Sequence, residues 1–295
     1  MPRGRLLAVA TLARRRPRLG RDACRQRARP SARQAAVSAI RTEPIRLERL
    51  EDGALWRVVL DAPPANVLDT SMIVALTRVF EEAATAWQLK AVTIEGEGEH
   101  FSYGASVAEH APDVVGDMLP RFHAMFLSMQ DAAVFTIAVV RGRCLGGGLE
   151  VAAFCHRAIA APDAQLGQPE IQLGVFAPVA SIVLPARVGY GAAADLCLSG
   201  RTVTADHARA TGLVDDLAPD PGQAASDYAR EHLLPRSASS LRHANRAWRH
   251  GSLPDFETRL RDLEQSYLSR LMQTHDAAEG IGAFLDKRKP VWSDA

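Results

Sequence analysis

The segment Arg141–Gly174, RGRCLGGGLEVAAFCHRAIAAPDAQLGQPEIQLG, decides how the rest of the chain is interpreted. Three consecutive glycines at 146–148 are followed by one acid, Glu150, and a second acid, Glu170, lies in the turn-like GQPE. The run TIAVVRG before the glycines is β-branched and apolar and predicts a buried strand, whereas GLEVAAFC favours a helix. The glycines are therefore predicted at a strand-to-helix junction.

Such a junction can bind a negatively charged oxygen. Residues without Cβ let a ligand approach the backbone, and the first N–H groups of a helix have no acceptor within it. Glu150 belongs to the first turn of the predicted helix, and Glu170 comes from a separate segment. The alternative is a plain tight turn followed by an acid that the helix dipole favours.

The same segment resembles the signature of the enoyl-CoA hydratase/isomerase (crotonase) family. The resemblance continues in FSYGAS at 101–106, LCLSGRTVTADHARATGLVD at 196–215 and FLDKRKPVW at 284–292, and it covers about residues 43–292. It implies an α/β fold in which a crotonase-like spiral of strand-strand-helix units at 42–222 precedes a helical C-terminal trimerisation region at 223–295. The expected assembly is a homotrimer or a dimer of trimers.

The resemblance also implies the site. Glu150 and Glu170 would be catalytic, and the backbone N–H groups of Ala105 and Gly147 would form an oxyanion hole. The family often has Asp after this alanine, whereas this chain has Ser106. Because the oxyanion hole consists of backbone N–H groups, this difference should not affect it. The residues expected to bind substrate line the acyl-CoA groove or, for the last, lie near the CoA nucleotide: Ala65, Asn66, Leu68, Tyr103, Gly104, Phe122, Phe176, Pro178, Val179 and Lys287.

The chemistry of such a site can be argued from its groups. Adding water to a C=C bond conjugated with a thioester places negative charge on the carbonyl oxygen, where preorganised N–H donors stabilise it. Two carboxyl groups can take a proton from water and deliver one to carbon. If they share a site, their mutual repulsion raises the pKa of one of them. The sequence does not decide which glutamate is the acid, and an isomerase would need only one.

Composition excludes several classes of protein. Residues 1–41 hold 12 of the 35 basic residues and a single acid, which leaves 23 basic and 33 acidic residues in the remainder, a net charge of −10. A body this acidic offers no general nucleic-acid surface. No apolar run approaches the ~20 residues of a membrane span. The four cysteines show no CxxC spacing and predict reduced thiols of a cytoplasmic protein without a metal site. The sequence shows no nucleotide-redox or flavin motif, so the CoA that the resemblance implies is the only cofactor-like group expected.

The first 41 residues are Arg-rich and nearly free of acids. This pattern suits a mitochondrial transit peptide or a nucleic-acid-binding arm. A disordered extension, or a translation start placed too far upstream, would give the same composition, because the whole chain uses 32 Arg and 3 Lys. We predict a disordered extension.

The pattern of apolar residues predicts the remaining elements. Two strands, PIRLERL and LWRVVLD, are expected on either side of the EDG turn, and a third strand is expected in KAVTIEG. Apolar side chains at helical spacing predict long helices at 69–89 and 113–131. Short helices at 189–200 and 204–212, a closing strand at 213–219, and helices at 222–235, 237–250, 255–272 and 275–287 complete the prediction.

Three functions stay open at this point. The first is an acyl-CoA hydratase; the second is an isomerase, hydrolase or other lyase of the same family; the third is an RNA-binding protein without enzymatic activity that uses the arginine-rich arm. Within the family, GVFAPVAS at 174–181, FSYGASVAEH at 101–110 and FHAMF at 122–126 most resemble hydratases of cyclohexa-1,5-diene-1-carbonyl-CoA, which act in benzoyl-CoA breakdown. The alternative substrate is a straight-chain enoyl-CoA.

Overall fold

A computed structural model describes residues 38–42 and 44–295, with side chains from residue 44 onward. Two sheets organise this part of the chain. The larger has the strand order β1-β2-β3-β4-β5-β7-β10, antiparallel from β1 to β3 and parallel from β3 to β10, and the smaller has the order β6-β8-β9. The strands are β1 Ser38–Thr42, β2 Ile45–Leu50, β3 Leu55–Leu60, β4 Ala91–Gly96, β5 Phe135–Val140, β6 Arg143–Leu145, β7 Arg157–Ala160, β8 Gln165–Gly167, β9 Thr202–Thr204 and β10 Asp216–Leu217.

Ten α-helices lie between and after these strands in the described residues. They are α1 Thr70–Thr85, α2 Val115–Ala132, α3 Gly147–Phe154, α4 Pro178–Val188, α5 Tyr190–Ser199, α6 Ala205–Thr211, α7 Pro221–Tyr228, α8 Ala238–Ser252, α9 Phe256–Ser269 and α10 His275–Leu285. Short 3-10 helices form at Glu51–Gly53, Val107–His110, Pro169–Leu173 and Leu271–Gln273, and a π-helical turn forms at Ala229–Leu233. No helix within 44–295 is long and apolar enough to cross a membrane.

The larger sheet is covered on both faces. Side chains of a strand point alternately to opposite sides, and in β3 Val58 and Leu60 join the main core with α1 and α2, while Leu55 joins a second cluster. That second cluster includes Ala225 from α7. Burial on both faces explains why the strands are nearly continuous apolar runs.

Most predicted elements are present, with shifted ends. The EDG turn between β2 and β3 is a short 3-10 helix, and α1 begins after Asp69, whose carboxylate accepts from the Met72 amide at 2.9 Å. Helix α1 ends at Thr85 rather than at Leu89. The predicted closing strand is only two residues long, because just Asp216–Leu217 pairs with β7.

Two predictions about the sheets need correction. The glycines at 146–148 do not follow the buried strand β5 directly, because β6, which belongs to the smaller sheet, lies between them. The predicted boundary of the extension at residue 41 is too late, because Ser38–Thr42 pairs with β2 at the edge of the larger sheet. Residues 1–37, which make up most of the predicted disordered extension, lie outside the described residues.

The helical C-terminal region is fastened to the spiral by an arginine. Arg242 of α8 donates to the carbonyls of Ala83 at 2.9 Å and Ala86 at 2.8 Å, at the end of α1, and to the carbonyl of Ala132, the last residue of α2. The last carbonyls of a helix lack intrahelical donors and carry partial negative charge. One guanidinium group therefore stabilises the ends of two helices and fixes the C-terminal region against them.

Candidate active site

The glycine junction brings Glu170 to the start of α3. Gly146 has φ 53° and ψ −128°, a combination that a residue with a Cβ rarely adopts. A Cβ at this position would lie 2.7 Å from Oε1 of Glu170. The missing side chain is therefore what allows the second acid to approach the junction.

Two backbone amides lie side by side at the same junction. Gly147 is the first residue of α3, and a Cβ placed on it would lie 3.0 Å from the Ala105 nitrogen and 3.0 Å from the ring of Phe122. Ala105 is held there by a bridge to Leu68. Neither the Ala105 nor the Gly147 N–H donates to a protein acceptor within residues 44–295. This is the arrangement of two free donors that an oxyanion hole requires.

Glu150 is buried in the first turn of α3, with 3% of its surface exposed. Its Oε1 accepts from the amide of Ala180 at 2.8 Å, in the first turn of α4. Burial and the negative charge of Glu170 raise the pKa of Glu150 to about 8, although the amides of Ala180 and Val179 favour its charged form. The Glu150 carboxyl group is therefore held in position and titrates near neutrality.

Glu170 lies in the 3-10 helix Pro169–Leu173. Its Oε2 is buried and has no hydrogen-bond partner among the described residues. Burial raises the pKa of Glu170 to about 7. The pKa of each carboxyl group is therefore raised toward neutral pH. The pair can hold one proton and one negative charge at the same time.

Both acids open into one cavity of about 490 Å3. Its lining is mostly apolar and comes from the loops around the junction, from α2 and from the C-terminal helices. The predicted site residues that line it are Ala65, Tyr103, Gly104, Ala105, Phe122, Glu150, Glu170, Phe176 and Pro178. Segments distant in sequence are thus brought together as the resemblance implied.

Four predicted substrate-binding residues do not line the cavity. Asn66 is fully buried and donates to the carbonyls of Glu97 and His100, both at 2.9 Å, so its side chain ties two loops together. Leu68 is also fully buried and contributes its backbone bridge to Ala105. Val179 is buried behind the wall and contributes its amide to Glu150. Lys287 is exposed beyond the end of α10.

Other lining residues were not predicted from the sequence. His110 lines the cavity, and its Nδ1 lies 2.8 Å from the Ser106 carbonyl. Burial lowers the pKa of His110, which favours its neutral form. His110 is thus a half-buried residue of the cavity wall. No local signal marks it, because its burial depends on how the loop folds over the cavity.

The C-terminal helices complete the wall. Tyr267 of α9 and three residues of α10, Ile281, Phe284 and Leu285, line the same cavity. Phe284 and Leu285 are about half exposed and lie at its mouth. Their apolar spacing predicts helices but does not reveal which part of the spiral those helices cover.

Comparison with known proteins identifies the family. The family model described as enoyl-CoA hydratase/isomerase matches residues 51–295. The chain belongs to this enoyl-CoA hydratase/isomerase family. It is 47% identical over 253 residues to a cyclohexa-1,5-dienecarbonyl-CoA hydratase of Thauera aromatica, a match that covers 86% of this chain and 98% of that protein.

Two further relatives extend the comparison. A probable enoyl-CoA hydratase of Bacillus subtilis is 32% identical over 77% of this chain and 91% of its own length. The crystal structure of an enoyl-CoA hydratase from Mycobacterium avium subsp. paratuberculosis superposes with a TM-score of 0.72 over 88% of this chain and 99% of that one, at 24% identity. The predicted crotonase-like α/β spiral with a helical C-terminal region is thus confirmed.

Replacing Gly146 by alanine tests the geometry of the junction. The new methyl group would meet the Glu170 carboxylate, and the backbone conformation would be strained by ~1–3 kcal/mol. We expect Gly146→Ala to lower the unfolding temperature and to cut turnover of acyl-CoA substrates at least ~10-fold. Both are measurable by thermal unfolding and initial rates.

Gly191→Ala is the matched control, because a Cβ at Gly191 in α5 would meet nothing within 4 Å. Equal unfolding temperatures and equal turnover of the two alanine variants would show that the missing Cβ of Gly146 does not shape the site.

Proposed function

We propose that the protein adds water to the conjugated cyclic thioester cyclohexa-1,5-diene-1-carbonyl-CoA and forms 6-hydroxycyclohex-1-ene-1-carbonyl-CoA. The broader prediction, a hydro-lyase acting on acyl-CoA thioesters, is confirmed by the family and by the Thauera aromatica relative. The ring substrate is the proposal. The observation that carries it is the 47% identity over nearly the full length of that relative.

The cavity has the character that a flat ring requires. Several aromatic side chains line it, among them Phe122 from α2, Phe176 from the segment before α4 and Tyr267 from α9. The rings of Phe176 and Tyr267 meet edge to face, with centroids 5.3 Å apart. Pro178 adds a stiff wall at the first residue of α4. Rigid aromatic walls favour a compact ring over a long flexible chain.

In the proposed complex the thioester oxygen is bound by the N–H groups of Ala105 and Gly147. Their nitrogens lie together at the start of α3, where the helix dipole adds positive potential. Negative charge reaches this oxygen when water attacks the conjugated system. Each donor of such a hole contributes roughly 2.7–4 kcal/mol to the stability of the transition state.

Glu150 and Glu170 supply the two proton transfers. Oxygen bonds to the ring carbon at one end of the diene, one water proton passes to the ionised carboxylate, and the π electrons move onto the thioester oxygen. The enolate then collapses as the protonated carboxyl group delivers its proton to the carbon at the other end of the diene. One double bond remains, conjugated with the thioester, and the pair again holds one proton.

The glutamate pair sets the expected rates and pH dependence. Glu150→Gln and Glu170→Gln should each lower the turnover number at least ~10²-fold, while acyl-CoA binding is largely kept.

Because the reaction needs one carboxylate and one carboxylic acid, and their pKa values are raised to about 7 and 8, the wild-type rate should peak near pH 7–8. Ordinary carboxyl groups would place that peak near pH 4.5.

Exposed Glu81 of α1 offers a control, since Glu81→Gln removes a carboxylate outside the cavity. Hydration by either active-site variant at the rate of Glu81→Gln would overturn the assignment of the pair.

The ring proposal is tested by competing substrates. We expect kcat/KM for cyclohexa-1,5-diene-1-carbonyl-CoA to exceed that for crotonyl-CoA by at least ~10-fold, because only the ring fills the aromatic walls. Phe176→Ala should reduce this ratio, because it should lower kcat/KM for the cyclic substrate more than kcat/KM for crotonyl-CoA. Product analysis by mass spectrometry and NMR distinguishes hydration from isomerisation. A preference for crotonyl-CoA would refute the ring substrate and leave hydratase activity in place.

A further inference from the structure

Tyr267 is a buried residue whose hydroxyl group has no role in the reaction described above. It belongs to α9, outside the spiral core, and 1% of its surface is exposed. Its side chain lines the cavity that holds Glu150 and Glu170. Its hydroxyl group is buried and has no hydrogen-bond partner within residues 44–295. A buried hydroxyl without a partner costs free energy, and a phenylalanine would avoid that cost.

The hydroxyl group is a donor under working conditions. Burial and the negative charges of Glu170 and Glu150 raise the pKa of Tyr267. The phenol is therefore protonated at neutral pH and offers an O–H group as a donor. Gln168 also has unpartnered buried side-chain atoms, but it does not line the cavity.

The chemistry of the ligand limits what Tyr267 can bind. The thioester oxygen is taken by the amides of Ala105 and Gly147, and the ring consists of carbon and hydrogen. The remaining polar atom of the reacting group is the oxygen that is added. That oxygen has to lie beside the two glutamates, in the cavity that the Tyr267 side chain also lines.

Building on the proposed function, we propose that Tyr267 is a positioning and specificity residue whose hydroxyl donates a hydrogen bond to the added oxygen atom. It orients the water before the attack and binds the ring hydroxyl of the product afterwards. No proton is transferred from Tyr267. The edge-to-face contact with Phe176 holds the phenol in place, so the same two side chains shape the wall and place the oxygen.

The test compares two CoA esters that differ by one hydroxyl group, 6-hydroxycyclohex-1-ene-1-carbonyl-CoA and cyclohex-1-ene-1-carbonyl-CoA. Inhibition constants are measured from initial hydration rates for the wild type, Tyr267→Phe and Tyr228→Phe. Tyr228 of α7 stacks on Phe135 and does not line the cavity, so it provides the matched loss of a phenolic hydroxyl.

We expect the wild type and Tyr228→Phe to prefer the hydroxylated ester. Tyr267→Phe should reduce that preference by roughly 3- to 10-fold, the usual effect of one hydrogen bond, with binding of the other ester changed less than about 2-fold. Its unfolding temperature should equal or exceed that of the wild type, because an unpartnered buried hydroxyl is removed. An unchanged preference would overturn the proposal, as would a parallel loss of both affinities with a lower unfolding temperature.

The proposed function can fail separately. If the wild type hydrates neither the cyclic dienoyl-CoA nor crotonyl-CoA, hydration is refuted. The hydroxylated ester is then not turned over, and the dissociation constants of both esters, measured by titration calorimetry, decide the role of Tyr267 by the same criterion.

Discussion

The active site depends on the close approach of a carboxylate to a backbone that has no side chain. Glu170 can lie beside the start of α3 because Gly146 lacks a Cβ and adopts a left-handed backbone conformation. The same turn starts α3 at Gly147, which places its amide beside that of Ala105, and carries Glu150 into the first helical turn. A single backbone turn thus positions both the two free amides and the pair of acids.

Burying two acids together is unfavourable, and the fold stabilises Glu150 more than Glu170. Glu150 receives an amide hydrogen bond from the start of α4, whereas one oxygen of Glu170 has no protein partner in the described part of the chain. The raised pKa values follow from this shortage of stabilisation for two charges. In the proposed reaction, the stability lost by burying the pair is offset by proton transfer near neutral pH. The C-terminal helices, fastened by Arg242, keep the cavity apolar and strengthen this effect.

Local sequence patterns predict the long helices, most strands of the larger sheet and the residues of the junction, but they miss the smaller sheet and α4. The spacing of the sequence places the glycines 146–148 just before Glu150 and puts Glu170 in a separate turn. The family resemblance added Ala105. Side-chain direction was not readable. Asn66 belongs to the predicted groove segment, yet it bonds to neighbouring loops because its left-handed backbone turns its amide inward. Tyr267 could not be found at all, because its place in the cavity wall depends on where α9 packs, which is set by contacts far away in sequence.

The central claim, that the two acids share one proton in a buried site, can be measured directly on the carboxyl groups. In protein with 13C-labelled glutamate side chains, titration followed by NMR should show two resonances absent from Glu150→Gln and Glu170→Gln respectively. We predict that both titrate well above 4.5, and that the pKa of Glu150 falls when Glu170 is replaced by glutamine, because the negative charge that raises it is removed. Titration of both groups near 4.5, each unaffected by replacement of the other, would contradict the account.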